Sequence, residues 1–152
     1  MRLGAHMRIV GGFQTAVKEA VAAGCEALQI FTKSPQQWAA REIPLEEAET
    51  FQRQCAEASL FPVIAHDSYL INLAAGDEAL RRKSVESFIR EVRRCQILGV
   101  TALVTHMGSA GHDPVEAATA RLCDSLNEVL AATADSGVTI LLETTAGQGN
   151  SL

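Results

Sequence analysis

Two histidines and a glutamate stand at the ends of three apolar, strand-forming runs: Val63-Ile64-Ala65-His66, Ala102-Leu103-Val104-Thr105-His106 and Thr139-Ile140-Leu141-Leu142-Glu143. Packing alone gives little reason for three such runs to stop on a titratable side chain. Two imidazoles and a carboxylate make a ligand set that suits zinc, with a position left for water or substrate. One strand-end histidine by itself reads as a hydrogen-bonded rim residue; three matched positions read as a metal centre. Glu143 is the most telling, because a carboxylate after Thr139-Ile140-Leu141-Leu142 is costly to bury without a cation. The chemistry implied is metal-assisted hydrolysis, with His66, His106 and Glu143 as ligands and catalytic groups.

Such a site needs strands that end side by side, and the chain alternates strand and helix patterns throughout. Strands are expected at Leu3 to Met7, Ala27 to Thr32, Pro62 to Ala65, Ala102 to Thr105 and Val138 to Thr144. Helices are expected at Thr15 to Ala23, Leu45 to Ser59, Glu78 to Leu98 and from Asp113 to about Ala134. In the second, Ala48, Phe51, Cys55 and Ala58 form a stripe at spacings of three and four. In the third, Val85, Phe88, Ile89, Val92 and Cys95 turn inward, and Arg81, Arg82, Glu86, Arg90, Arg93 and Arg94 outward. Asp113-Pro114-Val115-Glu116 reads as a helix start with Asp113 at the N-cap. Gly24, Gly99 and Gly137 each end a helix shortly before a strand, an echo expected of a repeated αβ unit. Regular alternation with ligands at strand ends implies a parallel sheet. An open doubly wound sheet or part of a (β/α)8 barrel would fit, and the lack of a GxGxxG after the first strand disfavours a dinucleotide-binding version.

Length and composition describe one domain over residues 1–152, with 47% hydrophobic residues to fill its core. Thirteen basic and eighteen acidic side chains leave a net charge of −5, which disfavours adhesion to nucleic acid or membrane through bulk charge. Cys25, Cys55, Cys95 and Cys123 have no metal-knuckle spacing and read as reduced, half-buried thiols of a cytoplasmic protein. No stretch approaches a membrane span.

Other strand-end residues surround this site. His6 ends the first strand and stands as a further ligand, an orienting group for a substrate, or a cap on the sheet mouth. His112 reads as solvated. Asp67-Ser68-Tyr69-Leu70-Ile71-Asn72-Leu73 follows His66 and reads either as an ordinary βα loop or as a recognition loop. Thr32-Lys33-Ser34-Pro35-Gln36-Gln37-Trp38 is an amide-rich, singly basic loop that suits a phosphate-bearing ligand. Thr144-Thr145-Ala146-Gly147-Gln148-Gly149 puts small residues just past Glu143.

Taken together, these strings resemble the endonuclease IV family of abasic-site DNA repair enzymes. The matching pieces are Gly4-Ala5-His6 with Gly11-Gly12, Phe31-Thr32-Lys33 with Gln37-Trp38, and His66 to Leu73. Arg94-Cys95 with Leu98-Gly99, His106 with Gly108-Ser109, and Glu143 to Gly149 continue the series. The resemblance implies a (β/α)8 TIM barrel of the xylose-isomerase type with zinc, usually three ions, at its C-terminal mouth. It implies hydrolysis of the phosphodiester 5′ to an abasic site in double-stranded DNA, leaving a 3′-hydroxyl. By the same match, His66 and His106 hold one zinc and Glu143 bridges it to a second. Tyr69 and Leu70 fall where the family wedges side chains into the duplex. Gln36, Lys33, Ser68 and His6 complete the DNA-facing set, and a full-length protein is expected to be monomeric.

The sequence departs from the family at three places: Gln36 stands where a basic residue is usual, Met107 where a proline is, and Ala110 where a polar residue is. The larger departure is length. Five strands and four helices are present of eight units, so at most one full zinc site and part of a second are encoded. The last strand is then expected to expose an unpaired edge, and the helices an uncovered apolar face. The alternatives are a metal-dependent sugar isomerase or epimerase of the same barrel type, and a non-catalytic half-barrel remnant.

Overall fold

A computed structural model describes residues 1–144 as one five-stranded parallel sheet in the order β1-β2-β3-β4-β5. The strands are β1 (Gly4–Met7), β2 (Ala27–Phe31), β3 (Val63–His66), β4 (Ala102–His106) and β5 (Thr139–Glu143). The connecting helices are α1 (Phe13–Ala22), α2 (Leu45–Glu57), α3 (Glu78–Leu98) and α4 (Val115–Ala132). Consecutive parallel strands joined by helices and paired in chain order are the wall of a TIM barrel, here five strands of it.

Each helix is held to the sheet by one stripe. Phe13, Ala16, Val17 and Ala20 do this on α1, Ala48, Phe51 and Cys55 on α2, and Ala118, Leu122, Ser125 and Val129 on α4. On α3 the buried stripe holds Val85, Phe88, Val92 and Cys95, as expected, but Ile89 is only partly buried. Arg94, expected outside, is half-buried, because its guanidinium donates to the Thr32 and Arg41 carbonyls. Asp77 starts α3 by accepting from the Leu80 amide at 2.7 Å. Gly99 ends it with φ 68°, where a side chain would be strained. Gly24 and Gly137 also take positive φ after their helices, so the glycine echo marks real turns.

The start of α4 differs from expectation. Pro114, not Asp113, occupies the cap position, and no side chain caps the helix. Asp113 is drawn away by Arg121, whose Nη2 donates to Oδ2 at 2.8 Å. The thiols also differ: Cys55 and Cys95 are buried, Cys25 is intermediate and Cys123 is exposed.

The two sheet faces have different fates. Registered partners in a parallel ladder point the same way. Leu28, Ile30, Ala65 and Leu103 face the helices and join the hydrophobic core, with Met7, Val63 and Ile140 packed against it. The alternate residues, Gln29, Phe31, Ile64, His66, Val104, Leu141 and Glu143, share the other face, which no helix covers among the described residues. At the far edge, Leu142 turns to the helix side and is nonetheless 49% exposed.

Candidate metal centre

The three strand-end residues meet because of the sheet register. His66 pairs with Val104, and His106, two residues further along the same face, pairs with Glu143. One donor atom from each of His66, His106 and Glu143 lies within 4.8 Å of the others. Glu143 Oε2 is 3.2 Å from His66 Nε2 and 4.0 Å from His106 Nδ1, and the two imidazole centroids are 5.0 Å apart.

Two features of this cluster call for a cation. His66 Nδ1 lies 2.9 Å from the Asp67 carbonyl, which can only accept, so Nδ1 carries the proton in the neutral ring. Nε2 is then a bare lone pair facing a carboxylate oxygen, two acceptors in contact. In addition, His106 Nδ1 is buried without a hydrogen-bond partner among the described residues. A metal ion held there would satisfy all three atoms, and their chemistry fits zinc.

Behind His66 stands a support that the sequence reading missed. Asp67 is 2% exposed, its Oδ1 lies 3.4 Å from His66 Nδ1, and Oδ2 accepts from Thr105 Oγ1 at 2.6 Å. Burial pushes the Asp67 carboxyl up to about 8, with the Thr105 hydrogen bond opposing the rise. Groups of this kind fix a ligand's tautomer and ring orientation. The available signal was adjacency: a carboxylate follows the first ligand directly.

His6 does not reach the cluster. Its ring centroid lies 6.2 Å from that of His66 and 4.3 Å from that of Phe31. Burial, and then the neighbouring His66, hold its pKa below the ordinary imidazole value. His112 is exposed.

The loops after β2 and β3 form the rim. Tyr69 is 63% exposed, and its ring lies 5.4 Å from Phe31 and 6.2 Å from His66, edge-on to both. Gln36 is exposed on the other rim loop, and Leu70 is half-buried. Ser68 and Lys33 are both buried. Ser68 Oγ donates to the Pro35 carbonyl at 2.8 Å. The Lys33 ammonium is directed inward, 3.5 Å from Glu91 Oε1, and donates to the Gln37 carbonyl at 2.5 Å. Lys33 is thus a paired internal cation in this structure, not a solvated one.

Asn72 ties the β3 loop to the β4 loop. Its Oδ1 accepts from the Ala74 and Ser109 amides at 3.1 Å each, and its Nδ2 donates to the Ser109 carbonyl at 3.2 Å. Gly108, at φ 96°, lets this happen, since a side chain there would collide with Asn72 Oδ1. The small-residue string from Thr145 to Gly149 lies outside the described residues.

A second missed residue is Glu91, which is 1% exposed on the inward stripe of α3, three residues after Phe88. A carboxylate on an apolar stripe is a signal that the sequence reading passed over.

The comparisons bear on the fold and the family. A family model described as xylose isomerase-like TIM barrel matches residues 17–152. A probable endonuclease 4 from Chloroflexus aurantiacus is 43% identical over 151 residues, covering 99% of this chain and 53% of the relative. One from Geobacter sulfurreducens is 42% identical, covering 99% and 51%. Among solved structures, endonuclease IV from Thermus thermophilus superposes with a TM-score of 0.84 at 35% identity, covering all of this chain and 55% of that one. A D-psicose 3-epimerase has a TM-score of 0.70 at 16% identity, which shows shared fold alone. The chain spans about half the length of the curated relatives it matches. It belongs to the xylose isomerase-like TIM barrel family and, within that family, to the endonuclease IV sequences.

Proposed function

We propose that this chain carries the His66–His106–Glu143 zinc-binding portion of an abasic-site endonuclease, which hydrolyses double-stranded DNA 5′ to the lesion and leaves a 3′-hydroxyl. The observation that carries the reading is the cluster itself: a bare His66 nitrogen, an orphaned His106 nitrogen and a carboxylate, within 4.8 Å at a strand-end mouth. The sequence likeness to endonucleases 4 supports DNA as the substrate class, where the epimerases share only the fold.

In this reading His66 and His106 would hold one ion, and Glu143 would supply the carboxylate shared with a second. Zinc, when bound, supplies Lewis-acid polarisation of a phosphoryl oxygen and activation of water. The chain's own groups orient and exclude. Asp67 and Thr105 hold the His66 ring in the tautomer that presents Nε2. Tyr69, exposed beside the ligands, offers an aromatic face to an unstacked duplex, with Leu70 and Gln36 on the same rim. The cations needed to meet a phosphate are then metal ions in the site, which reconciles DNA binding with a net charge of −5.

The test is zinc titration of the 152-residue chain by calorimetry, followed by cleavage of a duplex bearing one abasic site. Stoichiometric zinc binding that disappears in His106→Ala supports the site, and incision 5′ to the lesion by the zinc-loaded protein supports the reaction. Zinc binding that survives loss of His106 would remove the assignment. Ketose–aldose turnover in place of incision would replace the endonuclease with the isomerase reading.

A further inference from the structure

Glu91 gathers groups from both rim loops. Its Oε1 accepts from the Ser68 amide at 3.2 Å and faces the Lys33 ammonium at 3.5 Å. Its Oε2 accepts from Thr32 Oγ1 at 3.4 Å. The ties continue outward: Lys33 Nζ reaches the Gln37 carbonyl, and Ser68 Oγ joins the Pro35 carbonyl while accepting from the Leu70 amide at 3.4 Å. One turn along α3, Arg94 donates to the Thr32 carbonyl. The circuit runs from helix to β2 loop to β3 loop and back.

Helix packing does not require this. Apolar residues at both positions 33 and 91 would fill the same space without the cost of desolvating a carboxylate and an ammonium. Burial pushes the Glu91 carboxyl upward, and the Lys33 ammonium opposes that. What the charged pair adds is direction. It fixes the Ser68 amide and Thr32 hydroxyl relative to one another, and with them the residues next in chain.

We propose that Glu91 is a positioning residue that clasps segments 32–37 and 67–70 into one rim, so that Gln36 and Tyr69 are held ready beside the metal ligands. The proposal rests on the DNA-reading role given to that rim above. A preformed rim lowers the ordering cost of binding. The clasp also couples the loops, so disturbing one loosens the other.

The chain offers a direct readout, because its single tryptophan, Trp38, and its single tyrosine, Tyr69, lie on the β2 loop and the β3 loop. Glu91→Gln keeps the shape but leaves one acceptor oxygen in place of two and no charge for Lys33. Hydrogen–deuterium exchange should rise in segments 33–38 and 67–72 together, on the order of tenfold, while α4 and β4 hold within about twofold. Acrylamide quenching of Trp38 and the emission anisotropy of Tyr69 should change in parallel. Exchange rising evenly over the chain, or in one segment only, overturns the clasp. Ser68→Ala tests it without stranding Lys33: a rise of roughly threefold in both segments supports it, and an unaltered β2 loop overturns it.

Zinc affinity should stay within about twofold in both variants, since they keep all three ligands, while affinity for a duplex carrying an abasic analogue falls about tenfold in Glu91→Gln. Segments that loosen together with lesion affinity unchanged would leave the clasp standing and remove the DNA-reading role of the rim.

Discussion

The two faces of this sheet are built from alternate residues of the same strands, yet they do opposite work. On the helix side, Leu28, Ile30, Ala65 and Leu103 are at most 1% exposed and continuous with Phe51, Phe88 and Val92. On the other side, Phe31 and His106 are half-exposed, and Glu143 is exposed at the edge strand. The apolar core lies on one face and the candidate metal ligands on the other, and the period of two keeps them apart. A gradient crosses this division. At the end of β3, Ala65 and His66 are buried on opposite faces, and His66 has Asp67 and Thr105 behind it. At β5, which pairs on one side only among the described residues, Leu141 and Leu142 are exposed with Glu143 beside them. The candidate metal centre is therefore buried and hydrogen-bonded on its His66 side and open on its carboxylate side.

The largest expected effect separates the faces by stability. Leu103→Ala, deep in the helix-side core, should destabilise the chain by about 2–5 kcal/mol. Leu142→Ala, on the same face but 49% exposed, should shift stability by no more than about 0.5 kcal/mol. Urea denaturation of the two variants checks both. Similar losses would mean that the open edge is as closed in solution as the core, and the gradient would fail.

The next effects separate the ligands. His66→Ala should reduce zinc affinity by more than the roughly 100-fold that loss of an outer partner can cost, because it removes a donor atom. Glu143→Gln should leave zinc binding at the two imidazoles weaker but measurable, and should abolish incision in any assembly that catalyses it. Calorimetry beside a cleavage assay reads the two. Near-normal cleavage by Glu143→Gln would end the bridging role. One step further out, Thr105→Val deletes the hydrogen bond to Asp67 Oδ2 and should cost about tenfold in zinc affinity.

The fold was readable from the sequence where it depends on local pattern. The helix of Glu78 to Leu98 has its bounds as expected, and the five strands lie within about two residues of their expected places. That His66, His106 and Glu143 come together was readable because strand ends of consecutive parallel strands must be neighbours. What escaped was set by tertiary pairing. Arg121 takes Asp113 from the α4 cap, Glu91 takes Lys33 inward, and Thr32 and Arg41 carbonyls draw Arg94 off the solvent face. In each case a charged side chain chose a partner that neither spacing nor periodicity encodes. Asp67 escaped for another reason: its neighbour His66 claimed the metal reading, and nothing local told a supporting carboxylate from a loop residue.

The smallest effect sharpens the comparison by chemistry instead of mutation. Cys55 and Cys95 lie in the helix-side core, Cys25 is half-buried after α1, and Cys123 is exposed on α4. Burial pushes the Cys55 thiol up to about 11 and the Cys95 thiol higher still. Only the thiolate is reactive, so at about pH 8 both core thiols are protonated as well as inaccessible. Treatment with an alkylating reagent should add one adduct quickly at Cys123 and a second more slowly at Cys25, read by intact mass. The remaining two should appear only in denaturant. Raising the pH to about 9 should still leave Cys55 and Cys95 untouched, since the reagent cannot reach them. Early third and fourth adducts from the native chain would mean that the helix layer opens readily. The closed face would then be no more closed than the one that carries the ligands.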